Sequence, residues 1–252
     1  MRKLTVVLVA AMILLAGCSG GGGGAASPTE DSEMNATATG TGNGNSTLSD
    51  ITPRSAVSDD NTFSSATEID GTWYNGSQQS SALIRNDTSN DRKLTEYTDE
   101  SGTTSELYTT EDYVAVRNGT TGDVQYGGPD SFIGAGIGIS GSFTAGGALF
   151  YVGVVEWEQT GTTTVDGEQA TVYESDSLNE TGLNTGQGIN YGFEQSEVQS
   201  VDGEMVISSE GQIHSATIEI ETQDGTYGGE MSAEYGDITL TKPAWVDESE
   251  AP

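Results

Sequence analysis

Cys18 is the only cysteine in the 252-residue chain, and its neighbours give its thiol a specific chemistry. Leu15-Ala16-Gly17-Cys18 follows an apolar run from Leu4 to Leu14, and that run follows the basic pair Arg2-Lys3. Basic residues, a short apolar core and small residues before a cut make a secretory signal. A cysteine just past those small residues is the pattern of a lipobox, in which the thiol takes a diacylglycerol-type lipid and residues 1–17 are removed. Two acyl chains on one glyceryl group supply the double anchoring that a single chain lacks. The apolar run is shorter than the roughly 20 residues a spanning helix needs. Ser19 and the five glycines Gly20 to Gly24 offer no core in which a structural cysteine could be buried. With one cysteine no disulfide forms within the chain, although an extracellular compartment permits one.

Other reactive constellations are weak. His214 is the only histidine and lies in an alternating apolar strand pattern, where packing is the ordinary role. A hydrolase needs a nucleophile, a base and an orienting group, and the one Gly-x-Ser-x-Gly string, Gly17-Cys18-Ser19-Gly20-Gly21, belongs to the lipobox and is no nucleophile elbow. A phosphate-cradling glycine loop and a zinc ligand set are also missing, so no catalytic residue, metal site or cofactor is assigned. The turn Asp87 to Asp91 carries oxygens that calcium favours but lacks the Asp-x-Asp-x-Asp-Gly order. Pairing among 39 acidic residues carries no information. Trp157 and Trp245 could stack on a ligand, but at strand positions they read as core. The sequons at Asn35, Asn45, Asn75, Asn86, Asn118 and Asn179 are possible glycan acceptors on an exported chain.

Charge sorts partners. The 39 acidic residues against 8 basic ones give a formal charge of −31, and loss of Arg2 and Lys3 with the signal makes it −33. Such a surface repels nucleic-acid phosphates, so DNA and RNA are excluded as partners. Ten tyrosines, three tryptophans and many β-branched residues argue against disorder. The composition fits a fold kept soluble in concentrated salt, where screening acts over a few ångströms.

The elements that must carry these residues are mostly strands. Residues 18–60 form a lipidated, low-complexity spacer rich in Gly, Ser, Thr and Asn. Residues 61–247 read as an antiparallel β-rich domain, and 248–252 as an acidic tail. From Gln78 short runs alternate with Asn-, Asp- and Gly-rich turns, the pattern of a β-meander: Ser80–Arg85, Lys93–Thr98, Ser105–Thr109 and Tyr113–Arg117. Strands resume at Val154–Gln159, Thr162–Val165, Gln169–Glu174, Glu197–Val201, Glu204–Ser208, Ile213–Glu221, Thr226–Tyr235 and Ile238–Thr241. Asp166-Gly167 and Asp202-Gly203 both read as hairpin turns, and 177–193 as a long loop with room for a helical turn. His214, Ala216, Ile218 and Ile220 are expected on one buried face.

Ser131 to Val155 interrupts the pattern with 25 uncharged residues between Asp130 and Glu156. Its glycines disfavour a spanning helix. Ile133–Ile139 alternates apolar residues with glycine, as a loop or strand would, and Phe143–Tyr151 suits a short helix. So apolar a segment must be buried, cover a cavity or touch lipid.

The lipobox, the spacer and the meander precede this insert. Val165-Asp166-Gly167-Glu168-Gln169-Ala170-Thr171-Val172-Tyr173-Glu174 follows it, and Tyr235-Gly236-Asp237-Ile238 and Pro243-Ala244-Trp245-Val246 close the pattern. The arrangement resembles the uncharacterised surface lipoproteins of halophilic archaea and, more distantly, the LolA, LppX and LprG type of lipoprotein and lipid carriers. The Arg2-Lys3 pair departs from the twin arginines many salt-lake lipoproteins carry, which leaves the export route open. The resemblance, over about Asp60 to Val246, implies an α+β, β-dominated fold: a curved antiparallel half-barrel with one or two short helices on its concave face. It implies a protein at the extracellular face of the cell membrane, held by lipid on Cys18. It implies non-catalytic binding of a lipid or isoprenoid chain under a lid, with Phe132, Ile133, Ile137, Phe143, Leu149, Phe150 and Val152 as lining. Two alternatives stay open: these residues are simply core, or the protein is a glycosylated cell-envelope module with a dry interior.

Overall fold

The computed structural model describes residues 51–58, 65–184 and 191–252. Cys18, Asn35 and Asn45 lie outside the described residues. Eleven strands form one sheet: β1 (Glu68–Gly76), β2 (Gln78–Asp87), β3 (Arg92–Thr98), β4 (Thr104–Thr109), β5 (Val114–Arg117), β6 (Val124–Gly127), β7 (Glu158–Val165), β8 (Glu168–Ser175), β9 (Val198–Ser208), β10 (Ile213–Thr222) and β11 (Thr226–Glu234). The helices are α1 (Pro53–Ser58), α2 (Ala135–Ala145) and α3 (Glu180–Asn184), and a 3-10 turn follows α2 at Gly147–Tyr151. This is the expected β-dominated α+β class.

The sheet order is β6-β5-β4-β3-β2-β1-β11-β10-β9-β8-β7. Every pairing is antiparallel, so the chain is two meanders joined where the first strand of one meets the last of the other. Short turns make this possible. At the β7–β8 hairpin Asp166 and Gly167 both take positive φ, 53° and 87°, as a tight turn between twisted strands requires.

Period-2 alternation sorts the side chains between the faces. Ile69, Ile84, Ala216, Ile218, Ile220, Met205 and Ile207 are buried on the face covered by α2 and the 3-10 turn. On the opposite face the C-terminal tail brings Leu240 and Val246 onto Leu94, Tyr108, Tyr113 and Ala115. That tail is latched at Asp87, whose buried carboxylate accepts the Leu240 N–H at 2.9 Å. Arg92 reaches the Leu240 carbonyl at 3.2 Å, and Trp245 Nε1 donates to Glu106 Oε1 at 2.9 Å.

Several elements differ from the sequence expectation. Glu68–Gly76 and Val124–Gly127, not anticipated, are strands β1 and β6. Ile133–Ile139, expected as loop or strand, lies mostly within α2, and Phe143–Tyr151 divides between the end of α2 and the 3-10 turn. Asp202-Gly203 is not a hairpin but the middle of β9, because Gly203 admits the Trp157 ring: a Cβ there would lie 3.3 Å from Trp157 Cη2. Ile238–Thr241 is not a strand. A register shift at Ile213–Ser215 gives the buried place to Ile213, while His214 is half-buried, edge-on to Tyr235 with ring centroids 5.1 Å apart. Within the span 18–60 expected as spacer, the described residues 51–58 pack on the domain. Ala56 of α1 is buried, Tyr173 Oη donates to the Ile51 carbonyl, and Arg54 Nη2 donates to the Gly153 carbonyl at 3.1 Å.

Candidate functional site

Helix α2 is built on glycines. Gly134, Gly138, Gly141, Ala145 and Ala148 recur at helical spacing and face the sheet. Each interior glycine costs a helix about 1 kcal/mol relative to alanine, so close approach must offset that cost. A Cβ on Gly71 of β1 would stand 2.3 Å from the Ala145 carbonyl oxygen, and one on Gly229 of β11 2.9 Å from the Ala148 nitrogen. Gly147 lies against the Trp73 ring. The Ser80 and Thr144 hydroxyls share a buried hydrogen bond of 3.1 Å. At this end backbone sits on backbone.

The other end is seated on side chains. Gly134, at φ 74°, starts the helix above Leu107 and Val116, and Ile133 rests on Gly127 of β6. Ile133, Ile137, Leu107 and Val116 are all half-buried, whereas Thr144, Ala145 and Ala148 are buried. The insert is thus fixed at its C-terminal half and only partly covered at its N-terminal half.

The seven proposed lining residues are dispersed around this segment. Val152 is buried, and Ile133, Ile137, Phe143 and Leu149 are half-buried. Phe132 is 92% exposed and Phe150 44%, so neither is enclosed. Phe143 and Phe150 stack with centroids 4.5 Å apart and planes 16° apart. Sequence reasoning missed Leu107 and Val116, which the meander pattern placed only as strand residues. It also missed the sheet glycines Gly71 and Gly229; a glycine inside a strand is the signal of close backbone approach that could have found them.

Burial pushes the Tyr151 hydroxyl up to about 12, so it stays neutral. The Trp157 indole donates to the Val152 carbonyl at 3.0 Å and pins the chain as it leaves the insert. Two surface depressions lie away from α2, one around Asp87, Arg92 and Glu111, the other around Glu156, Trp157 and Glu204. In the first, Asp87 is held below the usual carboxylate range by the Asn90 side chain and then the Leu240 N–H. Among the described residues no three His, Cys, Asp or Glu side chains cluster to hold a metal, and no helix is long and apolar enough to cross a membrane.

Of the described sequons, Asn118 is exposed in a turn, its Oδ1 accepting the Thr120 and Thr121 N–H groups. Asn75 is half-buried in the β1–β2 hairpin. The Asn86 amide donates to the Ala66 carbonyl at 2.9 Å, and Asn179 Oδ1 accepts from Gly182 at the start of α3.

Solved structures similar to this chain include LprF from Mycobacterium bovis, 12% identical with a TM-score of 0.38, covering 78% of this chain and 99% of that one. The lipoprotein LppX of Mycobacterium tuberculosis is 12% identical with a TM-score of 0.34, covering 77% and 97%. MucB is 10% identical with a TM-score of 0.34, covering 78% and 63%. None of the curated proteins matches the chain. Residues 3–249 match a family of unknown function, DUF7537, and the chain belongs to that family.

Proposed function

We propose that the protein is a lipid-anchored lipoprotein of the extracellular membrane face that binds an apolar, lipid-like ligand without catalysis. Residues 1–17 are the signal, Cys18 carries the anchor, and residues 19–50 are the tether. The observation that carries the ligand reading is the contrast along α2. Its C-terminal end and the 3-10 turn rest on Gly71 and Gly229, while at its N-terminal end Gly134 lies over Leu107 and Val116, Ile133 meets Gly127, and Ile133 and Ile137 are only half-buried. Swinging the N-terminal half about that fixed end opens an apolar slot between α2 and β4–β6, and an acyl or isoprenoid chain fills it. The free energy is that of burial alone, about 0.8 kcal/mol per methylene group.

Native mass spectrometry of the full-length protein, extracted from its own membranes in molar salt, tests this. The expected result is a diacylglyceryl mass on Cys18 plus a second, non-covalent lipid that is reduced at least tenfold in Ile137→Asn. A protein without the second lipid removes the ligand reading. Cys18→Ser should move the protein to the medium, and its retention on the membrane would remove the anchor.

One observation favours a second reading, an envelope module with a dry interior. Direct backbone contact at Ala145 and Ala148 leaves no room beneath that part of the insert. The absence of co-purifying lipid selects it.

A further inference from the structure

Helix α2 is inverted relative to an ordinary surface helix. Its sheet-facing positions are small, Gly134, Gly138, Gly141 and Ala145. Its Ile139 and Phe143 lie on the other side, about half a turn of the helix away. Phe132 (92%), Ile139 (42%) and Phe150 (44%) are the exposed large hydrophobic residues of the described chain, and all three belong to this one segment. Phe143, one helical turn on from Ile139, stacks on Phe150 with centroids 4.5 Å apart, and Phe132 stands just before the helix; these four side chains are the ridge. A helix apolar all round is normally covered all round, and here the sheet covers one side only.

The geometry points to a lipid bilayer surface as the cover: the ridge Phe132–Ile139–Phe143–Phe150 beds into the membrane interface beside the Cys18 anchor. The position of the tether argues for it. The described chain begins at Ile51, held by Tyr173, and Arg54 of α1 bonds the Gly153 carbonyl just beyond the 3-10 turn. The tether therefore joins the domain next to the ridge. The 32 residues from Ser19 to Asp50 reach at most about 110 Å, so anchoring keeps the ridge at a high effective concentration near lipid and a weak contact suffices.

Charge agrees. Between Asp130 and Glu156 the chain has no charged residue, so the ridge itself carries no carboxylate, and the exposed Asp130, two residues before Phe132, stands at its edge. The rest of the acidic surface is screened within about 3 Å in molar salt. Area argues against a second copy of the chain as the cover. The exposed parts of these side chains amount to roughly 300–400 Å², half of the about 800 Å² per partner in a stable protein interface.

This inference takes the anchor from the proposed function but not the ligand slot, which lies on the opposite side of α2. The test uses full-length protein reconstituted at low density into phosphatidylcholine vesicles with brominated acyl chains, in 2 M KCl. Flotation first reports anchoring. Tryptophan quenching is then read for Phe132→Trp, Phe150→Trp and the control Thr164→Trp on the exposed strand β7, each against the parent with Trp73, Trp157 and Trp245. The expected result is at least twofold more quenching of the added tryptophan at 132 and 150 than at 164. Equal quenching at all three positions overturns the inference, as does a protein that fails to float. Quenching at 132 and 150 that disappears on further dilution, with cross-linked pairs at the higher density, assigns the ridge to a second copy and also overturns it. Preferential quenching in protein that lacks a co-purified lipid leaves this inference standing while the slot reading fails.

Discussion

Four carboxylates crowd the outer face of the central strands around Glu219. Its register partner on β9 is Asp202. Burial first, and then the charges of Asp202, Glu221 and Glu230, raise the Glu219 pKa above the ordinary value. Across the strand Tyr74 donates to Glu230 at 2.8 Å, and its hydroxyl is pushed up to about 12 by burial and by that carboxylate. The sign follows from linkage. A carboxyl whose folded pKa is raised binds its proton more tightly in the folded state. Its favourable contribution is complete below the unfolded pKa, near 4, and is lost as pH rises through the folded value. Ionised Glu219 therefore weakens the fold at neutral pH. Glu219→Gln should raise stability at pH 7 in 0.1 M salt by up to about 1 kcal/mol, the range of exposed charge effects. The gain should fade near pH 4, where the wild-type group is protonated. Urea unfolding at the two pH values reads both, and a gain that is the same at pH 4 would contradict the charge argument.

At the scale of elements, one residue type explains both the seating of α2 and the places where the sequence was hard to read. Gly71→Ala puts a methyl group 2.3 Å from the Ala145 carbonyl oxygen, and backbone does not yield as a side chain does. The expected loss is about 1–3 kcal/mol, the range for overpacking, seen as a lower thermal midpoint in molar salt. Gly136→Ala is the contrasting case: nothing lies within 4 Å of its Cβ position, and it should gain up to about 1 kcal/mol from helix propensity. If both substitutions destabilised equally, close approach would not be what the glycines provide. The same glycines blur the sequence. Most of the meander was legible because its turns carry Asn, Asp and Gly between β-branched runs. Strand β1 was not, since Gly71 and Asp70 break the run, and Gly71 is there for the helix above it. Gly203 read as a turn but serves the Trp157 ring. In α2 the alternation of Ile with Gly imitates a strand; the informative spacing is 134, 138, 141, 145 and 148, which only a partner surface makes meaningful. The uncharged character of 131–155 marked out the segment that holds α2 and the 3-10 turn. Which side chains face the sheet and which face away depends on helix phase, and a glycine-rich helix does not announce its phase.

For the whole molecule the governing quantity is charge density on a single broad sheet. The described ion pairs are few: Arg85 with Glu68 at 2.6 Å and Glu96 at 3.6 Å, Arg117 with Glu106 at 2.8 Å, and Lys242 with Glu248 at 3.6 Å. Against 39 acidic residues in the sequence they neutralise little. Repulsion between surface carboxylates extends about 10 Å in 0.1 M salt and about 3 Å in 1 M, so at low salt charges on neighbouring strands act on one another. Raising KCl from 0.1 to 2 M should therefore lift the thermal midpoint by about 10 °C or more, the shift that roughly 3 kcal/mol brings in a domain of this size. Salt also strengthens apolar burial by exclusion from the surface, and pH separates the two causes. Near pH 4 many carboxylates are protonated and the repulsion is small, so a screening effect must shrink there, while an exclusion effect must persist. Thermal melts at both salt concentrations and both pH values decide the matter. A salt increment that is the same at pH 4 and pH 7 would assign the salt dependence of the melt to the apolar seams of the fold, the buried contact under α2 above all, and not to its acidic coat.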